Sequence, residues 1–121
     1  MGLDYILVFC GGGLGAMARY SIGKAIKGRR AERFPWGTMV VNVLGALVLG
    51  IIAGDRHFGI HALLLFDIGF VGSFTTFSSL SYETLELLQK GFYGRAFLNP
   101  CVSLVLGFLG LWLGMMVGVV L

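Results

Sequence analysis

The fold of this chain depends on the stretch GFVGSFTTFSS, which runs from Gly69 to Ser79. It lies inside an apolar segment long enough to cross a bilayer, yet it contains two glycines and five hydroxyl residues. Glycine lowers helix propensity, and backbone left unpaired at membrane depth persists only where protein or a lined cavity satisfies it. The stretch therefore predicts a broken helix that belongs to a transport path.

Outward from this stretch, the rest of the chain predicts a small membrane bundle. Of 121 residues, 57% are hydrophobic and 12% are charged, whereas soluble domains have roughly 25% charged residues. Apolar segments cover residues 4–26, 36–53, 62–88 and 97–121, each near the ~20 residues that span a bilayer. We expect an all-α membrane protein with four transmembrane helices and a break in the third. We expect residues 1–121 to form a single four-helix unit in the cell inner (plasma) membrane, in contact with the lipid bilayer.

Basic residues are distributed unevenly between the two sides of the bundle. The loops after the first and third spans share a side, and they carry Lys24, Lys27, Arg29, Arg30, Arg33, Lys90 and Arg95, against Arg56 alone on the other side. The positive-inside rule then predicts one orientation, with both termini outside. Since these charges flank membrane spans and no soluble domain carries a binding face, we expect no nucleic-acid partner.

Ionisable groups within spans are functional candidates. Arg19 lies about two-thirds of the way along the first span. It either extends to the basic side near Lys24, supplies positive potential to an inner vestibule, or pairs with Asp67 of the third span. Asn42 is an amide in the middle of the second span, where it needs hydrogen-bond partners. It can donate to an anion or to a neighbouring helix.

The break itself offers ligands of two kinds. Carbonyls freed near Gly72 and Thr75 are hard oxygen donors suited to a small cation. Hydroxyls follow on Thr76, Ser78 and Ser79, and Glu83 lies one turn further on. The ring of Phe77 has a positive edge that can face an anion that has shed water, although packing is the alternative explanation.

Polar residues also stand at the start of the fourth segment. Pro100 suits the first turn of a helix, and Asn99 and Ser103 are four residues apart, so that they share a helix face. They form either a cap with a polar packing position or a polar track for an ion.

Three of these motifs, taken in order, resemble those of one family. They are GGLGAMARY (12–20), GTMVVN (37–42) and GFVGSFTTFS (69–78). With these motifs at these spacings, the chain resembles the Fluc/CrcB fluoride channels over nearly its full length.

The resemblance implies an antiparallel, dual-topology dimer with two pores and passive fluoride efflux that gives fluoride resistance. It implies a sodium ion at the dimer centre, held by backbone carbonyls that correspond to Gly72 and Thr75. Fluoride would pass between phenylalanine edges, helped by Asn42. The hydroxyls of Thr76, Ser78 and Ser79 would follow, and Asn99 and Ser103 map to the polar positions of the fourth span.

Two features depart from the family pattern. The family has a second phenylalanine three residues after Phe77, and here that position is Leu80, which has no positive ring edge. A homodimer that inserts in both orientations also needs a weak charge bias, whereas this chain has a strong one. We hypothesise one member of a paired heterodimer, with a homologous subunit inserted the opposite way, instead of a homodimer.

Other function classes stay open as alternatives. A small multidrug-type exporter also has four spans, but it needs a membrane-embedded carboxylate, and the first span has only Asp4 at its edge. A non-conducting partner subunit is a further alternative. A non-transporting membrane assembly factor is another, but it would not require Phe77, Asn42 and the hydroxyls together. We expect no enzyme, because no nucleophile–base set or metal constellation is evident.

Overall fold

The fold was analysed in a computed structural model that describes residues 1–30 and 34–121, with side chains described outside 27–33. The elements are α1 (Gly2–Arg30), α2 (Trp36–Gly54), α3 (Ile60–Ala62), a π-helix (Leu63–Val71), α4 (Gly72–Phe74), α5 (Phe77–Gln89) and α6 (Tyr93–Val120). Four helical segments of the described chain are long and apolar enough to cross a membrane, the third being the composite Ile60–Gln89. The expected all-α architecture with four spans is confirmed.

Two helix boundaries differ from the sequence-based expectation. Helix α1 continues past residue 26 to Arg30, so part of the basic loop is helical. Helix α6 begins at Tyr93, and Pro100 lies inside it, so the expected first-turn position of Pro100 is wrong. The reason is the tight end of α5, where Gly91 has a φ of 84°. The N–H of Phe92 donates to the Leu87 carbonyl at 2.9 Å, a Schellman turn that reverses the chain at once.

Close backbone contact joins α1 to the third span. A Cβ added at Gly11 would collide with the carbonyl oxygen of Leu65, and one added at Gly15 with that of Phe70. A Cβ at Gly69 would lie 2.9 Å from the Val8 carbonyl oxygen. Gly69 is helical, so its small size serves this contact and does not end the helix.

The second close pair is α2 with α6. A Cβ on Gly50 would collide with the Leu111 carbonyl oxygen, and a Cβ on Gly114 with that of Leu47. Small residues let membrane helices approach until their backbones touch, which is how helices associate where lipid gives no hydrophobic driving force. The bundle thus contains two tightly packed helix pairs, and Asn42 of α2 bonds to Thr76 of the third span where the pairs meet.

Candidate functional site

The candidate site is the point where the third span loses helical backbone. Thr75 has φ −83° and ψ 154°, and Thr76 has φ −149° and ψ 122°, so both residues are extended. Helix α4 ends before them and α5 restarts at Phe77. The Thr76 hydroxyl oxygen accepts from the Ser79 N–H at 3.1 Å, which caps the new helix in the usual way for threonine. Gly72, by contrast, has helical φ and ψ.

Asn42 of α2 holds this extended segment. Its Nδ2 donates to the Thr76 carbonyl at 2.9 Å, and its Oδ1 accepts from the Thr76 N–H at 2.7 Å. The side-chain amide thus pairs with the backbone as a neighbouring strand would. Asn42 therefore makes an interhelical contact, and the second hydrogen on Nδ2 is left to serve another acceptor.

Two backbone carbonyls at the break lose their usual helical donors. In an unbroken helix, Thr76 N–H would donate to the Gly72 carbonyl and Ser79 N–H to the Thr75 carbonyl. Here Thr76 N–H donates to Asn42 and Ser79 N–H to the Thr76 side chain. Gly72 is exposed on the subunit surface. The donors that would ordinarily satisfy the two predicted cation ligands are therefore used elsewhere.

The predicted hydroxyl residues form one cluster at the start of α5. Thr76 Oγ1 lies 3.1 Å from Ser78 Oγ and 3.3 Å from Ser79 Oγ. The neighbouring Phe77 side chain is 79% exposed, so packing within the subunit does not account for it. Hydroxyl groups and the edge of an aromatic ring therefore lie together at the first turn of α5.

A cavity of about 750 Å³ reaches this cluster, and we call it the vestibule. It opens between the end of α1, the start of α2 and the end of α5, which is the basic side of the bundle. Its walls include Arg19, Lys24, Thr38, Thr76, Ser79 and Glu83. Thr38 Oγ1 donates to Glu83 Oε1 at 2.6 Å, and this bond fixes the carboxylate to α2.

Arg19 and Asp67 do not meet. Arg19 lies on the vestibule wall, whereas Asp67 is on the π-helix, which precedes the extended segment. No ion pair joins them among the residues that the structure describes, so the alternative that pairs them is wrong.

Asn99 and Ser103 of α6 lie apart from the hydroxyl cluster. Both are buried, and neither lines the vestibule. Asn99 Nδ2 donates to Thr84 Oγ1 at 3.0 Å, and Thr84 Oγ1 donates to the Leu80 carbonyl at 2.7 Å. The idea that Asn99 forms a helix cap is wrong, because α6 begins six residues earlier.

Sequence analysis missed Thr38 and Thr84, which each hydrogen-bond to a predicted site residue. The spacing of Thr38, four residues before Asn42, could have placed it on the Asn42 face of α2. Thr84 follows Leu80 by four residues, a spacing at which a threonine hydroxyl reaches the earlier carbonyl.

The loop after α2, outside the spans, contains an acidic side chain that bonds to a nearby histidine. Asp55 Oδ1 accepts from the His57 N–H at 2.9 Å and lies 2.8 Å from His57 Nδ1. The hydrogen bond from the His57 backbone N–H, followed by the one from the His57 side chain, lowers the pKa of Asp55. This pair defines a local turn on the side opposite the vestibule.

Comparison with known proteins places the chain in a family. The family described as CrcB-like protein, Camphor Resistance (CrcB), matches residues 6–115. The chain belongs to the CrcB family. Curated CrcB relatives include one from Acidobacterium capsulatum, 43% identical over 120 residues, and the alignment covers 96% of each chain. Another, from Thermus thermophilus, is 43% identical and covers 98% of this chain and 96% of the relative.

Both relatives are named fluoride-specific ion channel FluC, as is one from Dehalococcoides mccartyi that is 38% identical over 120 residues. This name is that of a channel and not of an exporter or an enzyme. CrcB membership with four spans identifies a multi-pass integral membrane protein, as the sequence motifs predicted. The multidrug-exporter alternative is set aside, since Asp4 lies at the edge of α1, 3.7 Å from the N-terminal amine.

Proposed function

We propose that this chain is a subunit of a fluoride-selective channel through which fluoride leaves the cell passively, down its gradient, and which confers fluoride resistance. One observation carries the proposal: the hydroxyl cluster of Thr76, Ser78 and Ser79 lies beside the exposed Phe77 ring, and Thr76 and Ser79 of this cluster line the vestibule. The names of the CrcB relatives give the ion.

The chemistry of this cluster suits a small, strongly hydrated anion. Dehydration is the main barrier for such an ion, and hydroxyl groups together with the second Asn42 Nδ2 hydrogen can replace its water. The edge of the Phe77 ring is positive, so it attracts the ion weakly. Conduction needs binding that permits both entry and release, and Arg19 on the vestibule wall raises the local anion concentration.

The freed carbonyls fit a sodium ion. Gly72 and Thr75 have lost their usual helical donors to Asn42 and to the Thr76 side chain, and hard carbonyl oxygens suit hard cations. Bound there, sodium would supply a fixed positive charge that ties two subunits together at the break of the third span. The exposure of Gly72 on the subunit surface supports a site that a second subunit completes.

We also propose the antiparallel dimer that the family pattern implies. Phe77 is 79% exposed, and a ring this exposed at membrane depth needs a partner surface to form the wall of a narrow pore. The strong basic bias of the chain, with Leu80 in place of a second phenylalanine, favours a homologous partner over a second copy. Phe77 and the partner's rings would then line the working pore, while Leu80 weakens the other pore.

Fluoride efflux from liposomes tests the function, and Phe77→Ile tests the site. If Phe77 lines the pore, efflux falls at least tenfold while the dimer still forms. Phe108→Ile is the matched control, because Phe108 is also exposed, at 63%, but lies on α6 away from the cluster. Equal efflux from the two variants would remove Phe77 from the path, and no efflux from any combination of subunits would refute the channel.

A second assay separates homodimer from heterodimer. The chain is purified alone and together with a homologous subunit from the same genome, and fluoride efflux and membrane orientation are measured for each. We expect efflux only from the pair, with this chain in one orientation. Full efflux from this chain alone, or mixed orientation, would contradict the paired arrangement and leave the channel function standing.

A further inference from the structure

Two ionisable side chains inside the spans have no partner within the subunit. Asp67 of the π-helix is half-buried, and its carboxylate makes no hydrogen bond or ion pair with the described residues. The same is true of the Arg19 guanidinium. Charged groups inside a span almost always pair with one another or line a water-filled cavity. Arg19 lines the vestibule but Asp67 does not, so the carboxylate needs a partner from outside the subunit.

Asp67 lies deep in the membrane. A Cβ added at Gly11 of α1 would meet the backbone of Leu65 and Phe70, so Gly11 is level with the part of the π-helix that contains Asp67. The first span is Gly2–Ile26, and Gly11 lies roughly 5 Å from its middle along the helix axis. A carboxylate at this depth loses its hydration, and only an opposite charge or hydrogen-bond donors can compensate for that loss.

The π-helix directs Asp67 away from α1 and onto the face of Gly72. Leu65 and Gly69 lie against α1, and residues two positions apart do not share a helix face, so Asp67 projects to the other side. Its two neighbours along the chain are about half exposed. The Gly72 N–H donates to the Asp67 carbonyl, an i→i+5 bond that places Asp67 one turn before the exposed Gly72. Asp67 therefore lies on the surface proposed to meet a second subunit.

The antiparallel dimer brings a cation to this surface. Arg19 follows Gly11 and Gly15 at four-residue spacing, so it continues the stripe of α1 that faces the third span and extends toward the break. It lies on the basic side of the break, whereas Asp67 lies on the opposite side. A two-fold axis in the membrane plane, through the break, exchanges these sides. We propose that Asp67 forms an ion pair with the second subunit's basic side chain at the position of Arg19.

This ion pair also favours the antiparallel arrangement over a parallel one. In a parallel dimer that used the same face, Asp67 of one subunit would lie opposite the same carboxylate of the other, and the like charges would repel. Specific interfaces commonly combine an attraction in the correct complex with a repulsion in the wrong one. Asp67 supplies both from one side chain. The inference rests on the proposed dimer and deepens it, because it names a contact that only the antiparallel form can make.

Dimer affinity in lipid bilayers, measured by energy transfer between labelled subunits, tests the ion pair. Asp67→Asn keeps the shape of the side chain and removes its charge, and we expect it to weaken the dimer roughly tenfold. Asp4→Asn is the matched control, because Asp4 lies at the edge of α1 beside the N-terminal amine, and it should leave the affinity unchanged. Unchanged affinity in Asp67→Asn, with normal fluoride efflux from the unmodified dimer, would overturn the ion pair alone. The affinity measurement needs no fluoride, so the channel function can fail while the ion pair stands.

Charge reversal identifies the partner group. Asp67→Arg should abolish the dimer, and aspartate in place of the second subunit's basic residue should restore it. A dimer that is not restored would overturn the proposal, as would a second subunit without a basic residue at this position. Where Asp67→Arg fails to insert, Asp67→Asn is combined with glutamine at the second subunit's basic position. Two changes that remove one interaction should not add, and additive losses of affinity would overturn the proposal.

Discussion

The substitution Asn42→Leu tests whether the two hydrogen bonds of Asn42 hold the extended segment in place. Leucine has nearly the same volume but cannot pair with the Thr76 N–H and carbonyl, which now bond to Asn42 at 2.7 and 2.9 Å. Each bond contributes about 1 kcal/mol net, and an unsatisfied buried group costs about 1–3 kcal/mol. Because Asn42 is half-buried, we expect the substitution to destabilise the extended segment by about 2–4 kcal/mol in total. This shifts the equilibrium between extended and helical backbone by a factor of roughly 30–1,000.

The structure also indicates where the freed Thr76 N–H would go. The nearest unused acceptor along the helix is the Gly72 carbonyl, four residues back. In Asn42→Leu the α4 helix would therefore extend over Thr75 and Thr76, and the Gly72 carbonyl would be lost as a cation ligand. The variant should conduct poorly and respond weakly to sodium.

Liposome efflux measured over a range of sodium concentrations tests both effects. We expect the fluoride efflux rate to fall at least thirtyfold, and the sodium dependence of dimer stability to flatten. Val48→Ala is the control, since Val48 is an exposed residue of the same helix and should leave both unchanged. Asn42→Leu with normal efflux and normal sodium dependence would refute the argument that this amide holds the break open.

Two further predictions concern packing and pH. Gly114→Ala should destabilise the subunit by about 1–3 kcal/mol, because the added Cβ would collide with the Leu47 carbonyl oxygen. Gly107→Ala is the control and should be neutral in the same thermal unfolding assay, because there is open space at its Cβ. Equal effects of the two substitutions would contradict the α2–α6 contact. Because the pKa of Asp55 is lowered, the ionised carboxylate stabilises the Asp55–His57 turn at pH values above the ordinary pKa of Asp, about 3.9. This stabilisation is lost as the pH falls through the lowered pKa. Hydrogen exchange at the His57 amide should therefore show protection at neutral pH that Asp55→Asn reduces; protection equal in the two proteins would show that the carboxylate does not hold the turn.

The sequence by itself was sufficient to predict the four spans and the kinds of polar group at the candidate site. Four apolar segments of membrane length leave few alternatives, because a chain in lipid must satisfy its backbone within helices or barrels. The hydroxyls at 76, 78 and 79 are adjacent along the chain, so their proximity required no tertiary information. The family motifs were equally visible, since each is a short local pattern.

Only the tertiary structure decided which partners the polar residues take. Asn42 is 34 positions from Thr76, and nothing local distinguishes an amide that faces an anion from one that holds a backbone segment. Asn99 and Ser103 share a helix face by spacing, but only the structure shows that both are buried and that Asn99 bonds to Thr84 of α5. Gly69 looked like a helix breaker, yet the approach of α1 explains it. The physical reason is common to all three cases: a short polar or small residue is compatible with several environments, and the neighbouring helix selects one of them.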